Sequence, residues 1–334
     1  MVLKRLSPPL LLAVVLVGAW LWQDIDRFLH TPLAVPEEGL VYTVRPGASL
    51  GSLAADLEAR GVLSNAFYLR LLGRWTGTAG RIQAGEYRIA PGTAPGALLQ
   101  QLAEGAVISY AITLVEGWTF DQMMDAVRAH PALEHTLAGL PGAKIMQRLG
   151  RPGEHPEGRF FPDTYHFPRG TRDQDLLERA YAAMEKLLDR EWRRRAADLP
   201  LQSPYEALIL ASIVERETAL ASERPQIAGV FVRRLASGMK LQTDPTVIYG
   251  MGEAFTGNLT KRDLQRDTPY NTYVHPGLTP TPICMPGRDA VRAVLHPADG
   301  DSLYFVARGD GSHEFSATLS AHNRAVRTYQ LNGR

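Results

Sequence analysis

Apolar and polar residues are grouped in blocks along the chain, and the first block is the most apolar. An uncharged run extends from Leu6 to Trp22, directly behind the basic pair Lys4 and Arg5. As a helix it would span ~25 Å, against ~30 Å for the hydrocarbon core of a bilayer. It ends in Trp20 and Trp22, which favour a membrane interface, and no small-x-small cleavage site closes it. We therefore expect residues 1–23 to be a cytoplasmic tip and an uncleaved transmembrane anchor, with a cleaved signal peptide as the alternative.

A polar stretch with prolines follows at residues 24–39 and predicts a linker. Beyond it, the apolar positions change between period two and the helical period, which predicts a small unit over residues 40–106. Its expected elements are strands at 41–44 and 85–89 and helices at 49–60, 66–72 and 94–103. In size and order this unit resembles a LysM-type glycan-binding module.

The pattern over residues 107–334 predicts a larger domain of mixed composition. We expect strands at 110–115 and 302–306, a long loop at 150–168, and helices at 120–130, 173–195, 204–220, 224–236 and 319–331. The predicted fold class is therefore α+β, with an N-terminal transmembrane helix, a small LysM-like α/β module and a larger mixed α+β domain.

The composition excludes several function classes. The 36 basic and 35 acidic residues give a net charge of +1, which argues against a nucleic-acid partner. A single cysteine, Cys284, excludes an internal disulfide and a cysteine-based zinc site. The sequence contains no glycine-rich phosphate loop and no paired-histidine metal motif, so neither a metal nor an organic cofactor is expected.

One short string resembles a hydrolase motif. Residues 47–51 read Gly-Ala-Ser-Leu-Gly, the pattern of a nucleophile elbow, between a predicted strand and a predicted helix. A nucleophile elbow follows several strands of a large sheet, whereas only one predicted strand precedes this serine. We therefore expect Ser49 to be a helix N-cap.

The helix predicted at 204–220 carries two acidic residues on opposite sides. At 100° per residue, Glu217 lies within the apolar stripe, and Glu215 lies on the far side. A carboxylate among apolar neighbours has a raised pKa, which suits a general acid near neutral pH. An ion pair with Arg233 or Arg234 is the structural alternative, and the helical projection leaves both open.

Two further segments carry polar groups that suit sugar binding. Asp244 precedes a proline and is expected to be a helix N-cap, while Gln242 and Thr243 lie before it in an extended stretch. There an amide and a hydroxyl can reach sugar hydroxyls. Residues 268–273, TPYNTY, place two tyrosines around an Asn-Thr pair, as either a cleft wall or an aromatic turn.

Several long strings together resemble the endolytic murein transglycosylase (YceG-like) family. They are ASIVERET at 211–218, GMKLQTDPTVIYGMG at 238–252, TPYNTY at 268–273 and LYFVARGDGSHEFSATLSAHN at 303–323, with RFFPDTYHF at 159–167 and VEGWT at 115–119. The resemblance extends over nearly the whole chain, including the apolar N-terminal run and the LysM-like unit.

The resemblance implies a lyase of the cell envelope. It would cut MurNAc-β-1,4-GlcNAc bonds inside peptidoglycan strands and leave 1,6-anhydroMurNAc ends, with Glu217, the second acid of the ExE string, as catalytic residue. We expect six residues to contact the sugars: Gln242, Thr243, Asp244, Tyr270, Asn271 and Tyr273. The implied location is the inner membrane, with the N-terminus cytoplasmic and the bulk of the chain periplasmic. The expected partners are glycan strands and glycan-polymerising synthases, whose nascent strands the enzyme would terminate or trim.

One departure from the family pattern and two alternative functions remain. The family follows YNTY with Gly-Leu-Pro-Pro-Gly-Pro-Ile, whereas residues 277–283 read Gly-Leu-Thr-Pro-Thr-Pro-Ile and lack the middle glycine. That loss puts the loop conformation and any substrate contact in question. The alternatives are a muramidase that pairs Glu217 with Asp244, and a non-catalytic glycan-binding scaffold.

Overall fold

The computed structural model describes residues 8–331. Its helices and short two-stranded sheets confirm the α+β class. The described chain divides into two compact units, each with its own hydrophobic core. The first unit extends to Tyr110 and includes residues 166–170; the second comprises the remaining residues from 111 onward.

The first unit consists of helices around one two-stranded sheet. Its elements are α1 Pro8–His30, β1 Leu40–Val44, α2 Leu50–Ala59, α3 Ala66–Trp75, β2 Gly85–Ile89 and α4 Pro95–Glu104. Strands β1 and β2 pair antiparallel, with Tyr42 opposite Tyr87. Ser49 caps α2 by accepting the Ser52 backbone N–H in a reciprocal capping box, which confirms the N-cap prediction.

The N-terminal helix differs from the predicted anchor. The predicted span begins at Leu6, outside the described residues, and α1 continues past Trp22 to His30. Its last eight residues include Asp24, Asp26 and Arg27, which lower the apolar character of the helix. Within residues 8–331, no helix combines the length and the apolar composition that a membrane crossing requires. The predicted transmembrane helix is therefore not supported by the described part of the chain.

The predicted linker also differs from the structure, because part of it packs in the first unit. The Tyr68 hydroxyl donates to the Asp24 carboxylate at 2.6 Å, and the rings of Phe28 and Tyr68 lie 5.5 Å apart. Phe28 and Leu33 are both buried in the core of this unit. Leu29 and Val35 also pack against this core, and the composition concealed the packing because these apolar residues are interspersed with charged residues and prolines.

The second unit contains most of the described elements. Its elements are β3 Ser109–Thr113, which begins in the first unit, α5 Phe120–Ala129, β4 Leu133–Glu134, α6 Gly142–Arg148, β5 Thr164–Pro168, which ends in the first unit, β6 Thr171–Arg172, α7 Asp173–Trp192, α8 Pro204–Glu217, α9 Arg224–Ala236, α10 Asp244–Met251, α11 Lys261–Gln265, α12 Arg288–Leu295, β7 Tyr304–Ala307, β8 His313–Ser316 and α13 Leu319–Val326. A 3-10 turn follows α10 and a π-helical turn follows α13.

Helix α8 lies at the centre of the larger core. Every residue from Ala207 to Val214 is buried, so the helix is covered on all sides rather than along one stripe. Its neighbours include α9 and the unpredicted helix α12, whose apolar residues join the same core. A fully covered α8 means that the two acidic residues at its end are distinguished by their partners, not by a solvent-facing side.

The C-terminal part forms a hairpin followed by a helix. Strands β7 and β8 pair antiparallel, with Phe305 opposite Phe315. Thr318 caps α13 by accepting the Ala321 backbone N–H. The single closing helix predicted from residue 319 is thus α-helical only to Val326.

Candidate active site

The end of α8 positions the two glutamates of the ExE string. Ser203 caps the helix start by accepting the Glu206 backbone N–H. The helix ends at Glu217, three residues before the predicted end, because Thr218 is extended and its hydroxyl accepts the Leu220 N–H. Such a local side-chain bond competes with helix continuation. Glu217 is therefore the last residue of α8 and precedes a non-helical segment.

Glu215 is the glutamate that forms an ion pair. Its side chain is only 5% exposed, and Arg224 Nη2 lies 2.8 Å from its Oε1. Its other carboxylate oxygen accepts the Gly287 backbone N–H at 2.9 Å. Burial raises the pKa of Glu215, and the Gly287 bond and the Arg224 charge oppose that shift. Both oxygens are thus engaged in holding three segments of the core together.

Glu217 has a different environment. Thr243 donates its hydroxyl to Glu217 Oε1. Among the described residues no arginine lies within ion-pair distance of Glu217, so the ion-pair alternative from the sequence is wrong. Arg234, the candidate partner, instead donates to the carbonyl oxygens of Leu303 and Leu241, each at 2.7 Å.

Burial raises the pKa of Glu217 to about 7. The Thr243 hydrogen bond partly offsets this shift, and the nearby charge of Asp244 adds to it. His313 and Arg234 act in the opposite direction because their positive charges favour the carboxylate. Near neutral pH the group therefore exists in both protonation states, as a proton donor and acceptor requires.

The segment before α10 brings polar groups to Glu217. Thr243 is buried, and its backbone N–H donates to the Thr272 hydroxyl at 3.1 Å. Gln242 was expected in an extended stretch, but its φ is 50°, in the left-handed region. That conformation costs on the order of 1 kcal/mol for a non-glycine residue. A hydrogen bond from the Gln242 N–H to the Thr272 carbonyl, at 3.2 Å, holds it.

Asp244 is not the N-cap of α10. The cap is Thr243, with no side-chain capping bond, and Asp244 is the first helical residue. Its exposed carboxylate accepts the Tyr273 hydroxyl at 2.6 Å. The predicted role of Asp244 as a capping residue is therefore wrong, and its side chain is directed to a tyrosine of the TPYNTY string.

These groups line one cavity of about 430 Å³, a size that suits a small-molecule or oligosaccharide segment. The predicted residues Glu217, Gln242, Thr243, Asp244 and Tyr273 are all in its wall. The remaining lining residues come from α9, the segment before α10, the C-terminal hairpin, α13 and the turn after it: Arg234, Leu241, Tyr304, Phe305, Val306, Ala307, His313, Leu319, His322, Val326 and Gln330. No group of three or more potential metal ligands occurs in the part of the chain that the structure describes.

Tyr270 and Asn271 do not line this cavity. The Tyr270 ring packs on Tyr249, with 4.9 Å between centroids, and its hydroxyl pairs with that of Thr281. Asn271 is 1% exposed and donates to the carbonyl oxygens of Asp263, Leu264 and Arg266. Its own Oδ1 accepts the Tyr273 N–H at 2.9 Å. The predicted direct sugar contact of Asn271 is replaced by a structural role, because its amide fixes the loop that carries Tyr273.

Several cavity residues were not selected from the sequence. His313 Nδ1 lies 2.7 Å from Glu223 Oε2, and the Tyr304 ring stacks on His322 at 5.3 Å. The Arg234 guanidinium lies over the Tyr304 ring, 5.2 Å from the ring centroid. The string at 303–323, which carries part of the family resemblance, contains Tyr304, His313 and His322 and could have indicated them. Arg234 lies outside that string and was predicted only as a possible ion-pair partner of Glu217.

Hydrogen bonds from two threonine hydroxyls hold the loop at 277–283, which departs from the family pattern. Thr281 has no positive φ, so the position of the missing glycine needs no left-handed backbone here. The Thr279 hydroxyl donates to the Thr281 carbonyl, and the Thr281 hydroxyl donates to that of Pro282, each at 2.8 Å. Among the residues that line the cavity, none comes from 277–283.

A cavity lined by a carboxyl group of raised pKa is typical of enzymes that use general acid–base catalysis. Residues 42–328 match the YceG-like family, and the chain therefore belongs to that family. It is 32% identical over 303 residues to a Bacillus subtilis protein named endolytic murein transglycosylase, covering 85% of this chain and 82% of that relative.

Two further comparisons agree with this membership. A Streptococcus pneumoniae protein of the same name is 26% identical, with 91% of this chain and 59% of the relative covered. The crystal structure of a YceG-like protein from Listeria monocytogenes superposes with a TM-score of 0.53 at 30% identity, covering 86% of this chain and 99% of that one. The resemblance inferred from the sequence strings is thus confirmed.

Proposed function

We propose that this protein is an endolytic murein transglycosylase, a lyase that cuts MurNAc-β-1,4-GlcNAc bonds within glycan strands. The observation that carries the proposal is the state of Glu217: a carboxyl with its pKa raised to about 7 in a cavity of about 430 Å³. The relatives named endolytic murein transglycosylase support the same activity.

The reaction needs one acid that serves twice. Protonated Glu217 gives its proton to the GlcNAc O4 as the bond between that oxygen and the muramyl C1 breaks. The muramyl C6 hydroxyl then attacks C1, and its proton passes to the Glu217 carboxylate as the 1,6-anhydro ring closes. Because this hydroxyl is already tethered beside C1, proximity replaces the bound water of a hydrolase.

The other cavity residues bind and orient the sugars in this proposal. Gln242 and Asp244 are exposed at the cavity wall and offer an amide and a carboxylate to sugar hydroxyl and acetamido groups. Thr243 holds the Glu217 carboxyl by its hydroxyl, and Tyr273 presents its ring beside Asp244. Asn271 supports Tyr273 by accepting its backbone N–H, whereas Tyr270 packs on Tyr249, which does not line the cavity.

Replacing Glu217 tests the proposal directly. The full chain, purified in detergent, is incubated with isolated glycan strands, and products are separated and weighed by mass spectrometry. We expect the parent to release products with anhydro ends, and Glu217→Gln to lower the rate by about 10²- to 10⁴-fold, the usual contribution of a general acid–base group. Strands that remain uncut by the parent would overturn the proposal.

The same products separate the two alternative functions. A muramidase that uses Asp244 as second carboxylate would give reducing ends, which are heavier by one water than anhydro ends. Asp244 does line the cavity, which is the observation in favour of this alternative. A glycan-binding scaffold would retain strands in a pull-down without shortening them.

The role of the first unit and the cellular location of the protein are further parts of the proposal. We propose that the first unit binds glycan as a LysM-like module and that the chain works at the inner membrane, on the periplasmic side, beside glycan-polymerising synthases. The apolar surface of α1, with Trp20 and Trp22 exposed, supports a membrane contact. Fractionation of cells that express the full chain tests the location: we expect the protein in the membrane fraction.

A further inference from the structure

A histidine held by a carboxylate lies in the same cavity as Glu217. His313 begins β8, and Glu223 is the residue before α9. Glu223 accepts the His313 backbone N–H at 2.9 Å with one oxygen, and its other oxygen lies 2.7 Å from His313 Nδ1. The two side chains are only 11% and 13% exposed. The carboxylate thus fixes both the backbone and the ring of this histidine.

Aromatic packing also fixes the His313 ring at the cavity. The ring of Phe305 meets the His313 ring edge to face, with 5.4 Å between centroids, so the imidazole is held from a second side. With Nδ1 engaged by Glu223, the other ring nitrogen is the one left for the cavity that His313 lines. A protonated His313 therefore carries its positive charge in the cavity that Glu217 also lines.

Other charged and titratable groups also face Glu217. They come from α9, the start of α10, the following loop, β7 and α13: Arg234, Asp244, Tyr273, Tyr304 and His322. The guanidinium of Arg234 is already bound to backbone carbonyls, and the negative charge of Asp244 opposes ionisation of Glu217. His313 differs from Arg234 and His322 in having a carboxylate partner, Glu223, at 2.7 Å.

We propose that His313, fixed by Glu223, is a positioning residue whose positive charge stabilises the Glu217 carboxylate formed during glycan cleavage. The inference rests on the proposed function. When the Glu217 proton passes to the GlcNAc O4 and the C1–O4 bond breaks, a negative charge appears on Glu217 within a poorly solvated cavity. A fixed cation facing it favours that state, and the charge disappears again when the C6 hydroxyl returns a proton.

Replacing His313 gives a readout that a merely structural role would not move. The rate of anhydro-product release by the full chain is measured against pH. For His313→Gln we expect kcat to fall about tenfold with KM unchanged. The alkaline limb of the profile should move upward by about half to one pH unit, because loss of the cation raises the pKa of Glu217. His313→Lys, which retains a positive charge, should return the limb toward that of the parent.

The chain offers a matched control and a second variant. His275 forms an exposed pair with Asp267 at 2.6 Å and does not line the cavity, so His275→Gln should leave the profile unchanged. If His313→Gln fails to fold, Glu223→Gln retains the imidazole but removes its carboxylate, and the limb should move in the same direction by a smaller amount.

The outcomes separate this inference from the function on which it rests. If the parent releases anhydro ends and the limb stays in place in both His313→Gln and Glu223→Gln, the charge role is overturned while the lyase function stands. The role is also overturned if His313→Lys behaves like His313→Gln. If the parent cuts no strand, the proposed function fails and the inference fails with it.

Discussion

Two glutamates separated by one residue have opposite roles at the end of α8. Glu215 is paired with Arg224 at 2.8 Å, whereas Glu217 receives a threonine hydroxyl and lines a cavity. An ion pair inside a core holds elements in place, and removal of one member leaves the other charge without compensation. The same substitution should therefore have different effects at the two positions.

Glu215→Gln should destabilise the protein by ~3 kcal/mol, the low end for breaking a buried pair. We expect the low end because Glu116 and Asp289 lie 3.8 and 3.9 Å from the Arg224 guanidinium and compensate in part. Glu217→Gln should raise the free energy of unfolding above pH 7, because it removes a carboxylate whose ionisation the fold opposes. Denaturant titration of both variants at pH 8 checks the contrast; equal losses would contradict it.

Thr243→Val should separate proton affinity from binding at the same site. The Thr243 hydroxyl donates to Glu217 and lowers its pKa, so its removal should raise that pKa further. We expect the alkaline limb of the rate profile to move upward by up to about one pH unit. Thr281→Val, a buried threonine that does not line the cavity, is the control and should leave the limb in place.

For single residues, the sequence predicted the properties of a side chain better than it predicted the residues that the side chain contacts. The raised pKa of Glu217 followed from its apolar neighbours along the helix. The role of Asn271 did not, because the three carbonyls that its amide binds lie in the preceding segment, which carries no periodic pattern. The backbone conformation of Gln242 was predicted wrongly for a similar reason: its left-handed φ accompanies a hydrogen bond to Thr272, thirty residues away along the chain.

A second buried acid joins two helices of the larger unit. Glu157 is 3% exposed; its Oε1 accepts the Phe120 N–H at the start of α5, and its Oε2 accepts the Tyr249 hydroxyl from α10. Burial raises its pKa from 4.5 to about 7. The folded state therefore binds this proton more tightly than the unfolded chain does.

The sign of the resulting pH dependence is fixed by that shift. The contribution of Glu157 is complete below pH 4.5 and is lost as the pH rises to about 7, and it is worth roughly 3 kcal/mol. We expect Glu157→Gln to flatten the fall in the free energy of unfolding across this window. The exposed Glu178→Gln should not. Denaturant titrations at several pH values measure both, and an unchanged slope in Glu157→Gln would contradict the assignment.

Elements with a strong period were predicted closely, and elements defined by contacts were not. Strand β2 and helix α9 begin and end at the predicted residues. Helix α12 was missed although all its apolar residues are buried, because it is short and follows a proline-rich segment that reads as loop. Strand β8 was missed because its residues, His313 to Ser316, form a strand only through pairing with β7.

Each of the two units has its own core, which predicts two unfolding steps for the whole molecule. Leu57 is fully buried in the first core and Leu208 in the second. Leu57→Ala should lower the midpoint of one transition and Leu208→Ala that of the other, each at a cost of about 2–5 kcal/mol. Calorimetry of the full chain measures this, and one transition shifted by both variants would contradict it.

At the scale of the whole chain, the sequence predicted the α+β class and the presence of two units. It could not predict that the segment before β1 packs in the first unit, because composition resembles that of a linker. The cavity could not be predicted either, because its lining residues come from 217–273 and 304–330, which only the fold brings together.

That separation has a consequence for the order in which a cell makes the protein. Glu217 leaves the ribosome well before the hairpin and helix that complete its surroundings. A nascent or prematurely terminated chain therefore exposes Glu217 to water, so burial does not raise the pKa of its carboxyl group. Such a chain also lacks the lining residues that the hairpin and α13 contribute to the cavity. Under the proposed function, glycan cleavage is thus withheld until the chain has been made as far as residue 330.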